Sequence, residues 1–98
     1  MKKISILFLI LLCNCTFLYA QQFSITGVVT DKKLKEPIIG ASVIVKGTTN
    51  GTVTDLDGNF TIQVSKENVL VISFIGYITQ EIKVNENQTS YNIQMSED

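Results

Sequence analysis

The stretch Phe23-Ser24-Ile25-Thr26-Gly27-Val28-Val29-Thr30-Asp31 sets Phe23, Ile25, Gly27 and Val29 against Ser24, Thr26, Val28 and Thr30. Alternation with a period of two puts one set on one face of a pleated strand and the other set on the opposite face. The habit recurs downstream, where Phe60, Ile62 and Val64 share a face of Asn59 to Val64, and Tyr91, Ile93 and Met95 share a face of the last apolar segment. Residues 21–98 hold 9 Val, 10 Ile and 9 Thr but only 3 Leu and 1 Ala. Branching at Cβ stiffens the side chain, which disfavours helix and suits a pleated surface. No window carries a capped apolar repeat at helical spacing, so helix is limited to a turn or two.

Turn signals divide the rest of the chain. Lys32 to Glu36 is a charged connection closed by Pro37, which lacks an amide donor and belongs before a strand or on an edge. The apolar segment Ile38 to Val45 carries Gly40, and its paired portion starts near Ala41. Thr48-Thr49-Asn50-Gly51 is the strongest hairpin signal, with Asn50 and Gly51 expected at positive φ, and a short strand from Thr52 to Thr54 follows. Asp55-Leu56-Asp57-Gly58 turns the chain into Asn59 to Val64, and Ser65 to Asn68 is a polar turn. Val69 to Ile75 is apolar but for Ser73 and reads as a strand covered on both faces or central in the packing. Gly76 bends the chain, Tyr77 to Val84 resumes the alternation with Ile78, Ile82 and Val84, and Asn85 to Thr89 turns into the last strand. Seven short strands with turns at this spacing predict an all-β fold, a small Ig-like β-sandwich.

The start of the chain is different. Met1, Lys2 and Lys3 precede Ile4 to Leu12, apolar except for Ser5, and Leu18-Tyr19-Ala20 ends in a small residue, the layout of a signal-peptide helix over residues 1–20. Asn14 and Thr16 break the run before it reaches the length of a membrane anchor. Lipidation at Cys15 is the alternative to cleavage after Ala20, although Asn14 stands where such signals place a small residue. Cleavage leaves residues 21–98 as one domain of 78 residues, with 6 Lys against 9 acidic groups, a net charge of −3, and no Cys, His, Trp or Arg. A membrane barrel of even eight strands needs more chain than that. The missing basic patch argues against nucleic acid as a partner.

Few residues can carry chemistry. Without His or Cys, catalysis is limited to Ser or Thr activated by Lys or to a carboxylate pair, and no Ser of the mature chain sits in a Gly-flanked nucleophile turn. No catalytic residue and no cofactor site is expected. Asp55 and Asp57 beside Gly58 suggest calcium, but counting from Asp55 the sixth residue is Phe60 and the twelfth Lys66, where a calcium loop needs Gly and a carboxylate. The simpler expectation is that both carboxylates accept hydrogen bonds from the turn's own amides while Gly58 supplies a left-handed conformation. Gly76-Tyr77 reads as a bend with the Tyr ring packed and its hydroxyl at an edge, and Phe23, Phe60 and Phe74 are expected in the core.

The run Gly27-Val28-Val29-Thr30-Asp31, Pro37-Ile38-Ile39-Gly40-Ala41-Ser42-Val43, Lys46-Gly47-Thr48, Gly51-Thr52, Thr54-Asp55 and Gly58-Asn59-Phe60, with Ile72-Ser73-Phe74-Ile75-Gly76-Tyr77 further on, resembles the carboxypeptidase-regulatory-like domain. The version it resembles follows the signal peptide of SusC-type TonB-dependent outer-membrane receptors. The resemblance implies a transthyretin-like sandwich and a non-catalytic periplasmic extension ahead of a TonB box, plug and barrel; residues 1–98 contain none of these three, which leaves open the first domain of a split or truncated receptor or a free-standing module. It also implies export in a Gram-negative bacterium, to the periplasm or the outer membrane, and a protein partner in the cell envelope, either a TonB-dependent receptor barrel or its associated proteins. The candidate contact loops are Thr48, Thr49, Asn50 and Gly51 in the hairpin and Asp55, Asp57, Gly58 and Asn59 in the next turn. A free-standing carbohydrate-binding or adhesion module is the alternative, weakened by the absence of Trp. An exposed sheet edge leaves pairing with another chain open.

Overall fold

The computed structural model describes residues 22–98, and the signal segment with Cys15 lies outside that range. Seven strands form two sheets: β1 (Gln22–Asp31), β2 (Ser42–Val45), β3 (Gly51–Val53), β4 (Asn59–Ser65), β5 (Val69–Ser73), β6 (Gln80–Lys83) and β7 (Ser90–Met95). One sheet has the order β4-β1-β7 and the other β3-β2-β5-β6. The result is the expected all-β sandwich.

The opening stretch occupies the centre of the three-stranded sheet. It pairs antiparallel with β4, Ile25 opposite Ile62 and Gly27 opposite Phe60, and parallel with β7, Val29 opposite Ile93. Of its inward set Ile25, Gly27 and Val29 are buried and Phe23 partly so, and the facing layer supplies Val43, Val45, Leu70 and Ile72. Fully burying a side chain of this size stabilises by about 1.5–3 kcal/mol. That contribution matters in a thiol-free domain, whose size leaves a large share of surface exposed. A single core cluster draws on residues from Ile25 to Met95.

Several elements differ from expectation. The β2–β3 hairpin exists, but its positive φ is at Gly47 (80°), and neither Asn50 nor Gly51 adopts one. The Thr48 amide donates to the Val45 carbonyl, closing a turn with Gly47 in third place. Gly51 is already in β3, where a Cβ would come 2.9 Å from Ile44 Cγ1. Strand β5 ends at Ser73, short of the predicted Ile75. The Tyr77 amide donates to the Phe74 carbonyl and Gly76 has φ +87°, so the chain turns out of the sheet there. Phe74, expected in the core, is therefore exposed, and Ile75 is 93% exposed. Strand β6 starts only at Gln80, leaving Ile78 exposed. Phe60 is buried as expected, and Phe23 packs partly against the core.

Two side-chain amides join the sheets along their open sides. Asn50 Nδ2 donates to the Gln63 carbonyl of β4 at 2.8 Å, and Gln80 Nε2 donates to the Gln94 carbonyl of β7.

Gly27 is the tightest point of the core, since a Cβ there would lie 2.4 Å from the Phe60 ring. Gly27→Ala in residues 22–98 is expected to lower the urea-unfolding free energy by about 1–3 kcal/mol. Adding Phe60→Leu should recover part of that loss, and an unchanged midpoint for Gly27→Ala would contradict this packing.

Candidate functional site

The strand directions sort the connections to two poles. Strands β1, β3, β5 and β7 end at one pole, together with residues 32–41, 54–58, 74–79 and 96–98, while residues 46–50, 66–68 and 84–89 form the other. The predicted contact residues are thereby separated. Thr48, Thr49, Asn50 and Gly51 lie at the second pole, whereas Asp55, Asp57, Gly58 and Asn59 lie at the first. All eight are exposed except Gly58.

The hairpin tip is built on Thr48, whose Oγ1 donates to the Val45 carbonyl and accepts from the Asn50 amide. At the opposite pole the Asp55 carboxylate accepts from the amides of Asp57 at 3.0 Å and Asn59 at 2.9 Å, the expected Asx turn. Asp57 makes no such bond among the described residues, so only one of the two carboxylates has the predicted role. Gly58 has φ +77°, and a Cβ there would lie 2.6 Å from the Val29 carbonyl oxygen and 3.0 Å from Pro37 Cβ. The turn is thus seated against β1 by a residue that only glycine satisfies.

Two residues that hold the first pole together were not singled out from the sequence. Thr54 is buried, and its hydroxyl donates to the Ile38 carbonyl at 2.6 Å and accepts from the Ala41 amide at 2.9 Å. Asp31 ends β1 and is 3% exposed. Its Oδ1 accepts from the amides of Lys33 and Leu34, both at 2.8 Å, and its Oδ2 from the Tyr77 hydroxyl at 2.7 Å. An aspartate followed by free amides two and three residues on is a local signal that sequence reading can use. The bond to Tyr77 spans 46 residues and leaves no such signal.

The electrostatics follow from these contacts. The Leu34 amide, then the Tyr77 hydroxyl, hold the Asp31 carboxyl below its ordinary range against the opposing effect of burial, with further help from the Lys33 amide and charge. The same hydrogen bond, with burial and the charges of Asp31, Glu97 and Glu36, pushes the Tyr77 phenol up to about 12. No grouping of three or more potential metal-ligating side chains occurs among the described residues.

Tyr77→Phe tests this tie by its pH dependence. An acid with a lowered folded pKa contributes stability above its unfolded value, near 4, and loses it as pH falls through the folded one. A phenol raised from about 10 to about 12 contributes fully below pH 10 and loses that contribution as pH rises through 12. Wild type is therefore expected to exceed Tyr77→Phe by a constant margin between about pH 5 and pH 9, with the margin shrinking at both extremes. Chemical unfolding across pH checks this, and a margin flat from pH 2 to pH 12 would contradict it.

The fold and the match of sequence point the same way. The family model described as the CarboxypepD_reg-like domain matches residues 25–98. The chain is 52% identical over 66 residues to the TonB-dependent receptor SusC of Bacteroides thetaiotaomicron, which covers 67% of this chain and 6% of that receptor. It is 38% identical over 95 residues to the TonB-dependent receptor P3 of Formosa agariphila, 96% of this chain and 9% of the relative. The chain thus spans less than a tenth of the length of these relatives. Among solved structures, a type II cohesin–X–dockerin complex from Acetivibrio cellulolyticus superposes with a TM-score of 0.58 at 26% identity, over 74% of this chain and 56% of that one. On the match over residues 25–98, the chain belongs to the CarboxypepD_reg-like domain family.

Proposed function

We propose that this chain is a non-catalytic accessory domain of the cell envelope that works by protein contact with a TonB-dependent nutrient receptor of a Gram-negative bacterium. The observation that carries the reading is the 52% identity to a SusC receptor over two thirds of the chain. In this reading residues 1–20 direct export and are removed, and residues 21–98 act in the periplasm or against the inner side of the outer membrane. The partner is a receptor barrel or a protein associated with it. The surfaces offered are the Thr48–Gly51 hairpin and the Asp55–Asn59 turn, displayed at opposite poles of a rigid sandwich as binding loops commonly are. The mature chain has no His or Cys, and Asp31, the buried carboxylate, is fully engaged in structural hydrogen bonds. Both facts support a binding role over a catalytic one.

A photo-crosslinking side chain placed at Thr49 or at Asp57 in the exported chain tests the proposal in living cells. Adducts to a TonB-dependent receptor or to a protein encoded beside one are expected from at least one position. Absence of envelope adducts from both, or glycan binding by the purified domain as its sole interaction, would overturn the reading.

A further inference from the structure

Asn50-Gly51, the pair expected at the centre of the hairpin turn, is held outside it, and packing explains both residues. The Asn50 side chain reaches across to β4, where Nδ2 donates to the Gln63 carbonyl at 2.8 Å. Gly51 opens β3 at a point where a Cβ would lie 2.9 Å from Ile44 Cγ1 and 3.1 Å from the Val43 carbonyl oxygen. Glycine suits such a close approach to the neighbouring strand. The fold thus imposes an Asn-Gly sequence at an exposed position.

That pair carries a reactivity that the other asparagines of residues 22–98 lack. A glycine after Asn leaves its amide nitrogen unshielded by a side chain, so the nitrogen can close on the Asn side-chain carbon. Asn59, Asn68, Asn85, Asn87 and Asn92 all precede residues with side chains. The ladder also leaves the nucleophile free of β2. Because the Val45 amide bonds the Asn50 carbonyl, antiparallel alternation turns the amide of Gly51 outward, along the open side of an edge strand. Asp57-Gly58 differs in this respect, since the Gly58 amide donates to the Asp55 carbonyl.

The bonds around Asn50 restrain the reaction. Its amide donates to Thr48 Oγ1 at 3.1 Å, its carbonyl accepts from the Val45 amide at 2.9 Å, and its Nδ2 is engaged by Gln63. Main chain and side chain are both fixed, and attack on Cγ requires the tip to open first.

We infer that Asn50 is a deamidation site gated by the β2–β3 tip. When the tip opens, the deprotonated Gly51 nitrogen bonds to Asn50 Cγ, the Cγ–Nδ2 bond breaks, and Nδ2 leaves as ammonia, the proton given up by Gly51 balancing the one it takes. Water then opens the succinimide at either carbonyl, giving aspartate or isoaspartate. No partner and no other reactant takes part. Either product replaces a donor by a carboxylate, which cannot donate to the Gln63 carbonyl. Isoaspartate also lengthens the main chain by one carbon beside the tight seat of Gly51. The tie between the layers is lost, the next opening becomes easier, and a negative charge stays on the hairpin tip.

Residues 22–98 contain both sheets and the core cluster, and they are incubated at mildly alkaline pH, folded in buffer and unfolded in guanidinium chloride. The mass gain of amide-to-acid conversion is located by fragmentation of the tryptic peptide 47–66, which also contains Asn59. In the unfolded chain Asn50 is expected to convert while Asn59 stays largely intact. Folding should slow conversion of Asn50 by about tenfold or more. Thr48→Val, which removes the acceptor of the Asn50 amide, should speed conversion in the folded chain and leave the unfolded rate unchanged. Asn50→Asp should lower the folding equilibrium constant by about fivefold in denaturant unfolding. Equal rates in the folded and unfolded chain, conversion of Asn59 as fast as that of Asn50, a folded Thr48→Val chain that converts no faster than wild type, or an Asn50→Asp variant as stable as wild type would overturn the inference.

Discussion

The carboxylate of Asp31 is the fixed point on which the pole of this sandwich is assembled. A charge this buried persists only where hydrogen bonds replace water, and three donors converge on it. Two come from the loop that follows β1, and one comes from Tyr77 after the turn that ends β5, so one side chain ties the three-stranded sheet to the four-stranded one. The backbone of Asp31 takes part as well, donating to the Glu36 carbonyl and accepting from the Lys35 amide. The sharp return of the chain through Lys35, whose φ is 61°, is thereby held from both ends. Thr54 repeats the principle at the same pole, where a single buried hydroxyl satisfies the carbonyl of buried Ile38 and the amide of buried Ala41.

Features with strong local causes were legible in the sequence. The alternation in β1, β4 and β7 gave their inward faces correctly, since a register error in a half-buried strand would expose every apolar side chain at once. The Asp55 turn was legible because its Asx geometry and glycine are local chemistry. The hairpin was located but its turn was displaced. Asn-Gly is a favourable pair for the two central positions, yet here the Asn50 side chain is engaged by Gln63 and Gly51 is pressed against Ile44. Tertiary contacts therefore took those residues out of the turn, and Gly47 supplied the unusual φ instead. The run from Val69 to Ile75 misled for a related reason. Continuous apolarity indicates burial, but Phe74 and Ile75 lie past the end of the strand on a turn closed by Gly76. The parallel pairing of β1 with β7 and the Asp31–Tyr77 bond depend on residues far apart in the chain, and no periodicity encodes either.

The candidate contact loops show how a small scaffold distributes its surfaces. Their separation on the sequence is only a few residues, and β3, three residues long, sends them to opposite poles. One pole is polar and rich in Asn, Thr and Lys; the other carries the exposed Leu, Ile and Phe. A domain built this way offers two chemically unlike ends, with Gln22 at the polar end and Asp98, whose amide donates to the Gly76 carbonyl, at the apolar end.

The amides of Asn50 and Gln80 have a consequence for behaviour at high concentration. A sandwich with two open sides presents rows of unpaired backbone groups, the template on which sheets add strand after strand into fibrous aggregates. Each amide occupies a carbonyl on an outer strand of the three-stranded sheet, Gln63 on one side and Gln94 on the other. An incoming strand would have to displace a bond already made, from a side chain anchored in the facing sheet. On the three-stranded sheet, then, two neutral side chains that hold the layers together also occupy one carbonyl of each edge strand, so loosening the sandwich would free acceptors on both edges of that sheet.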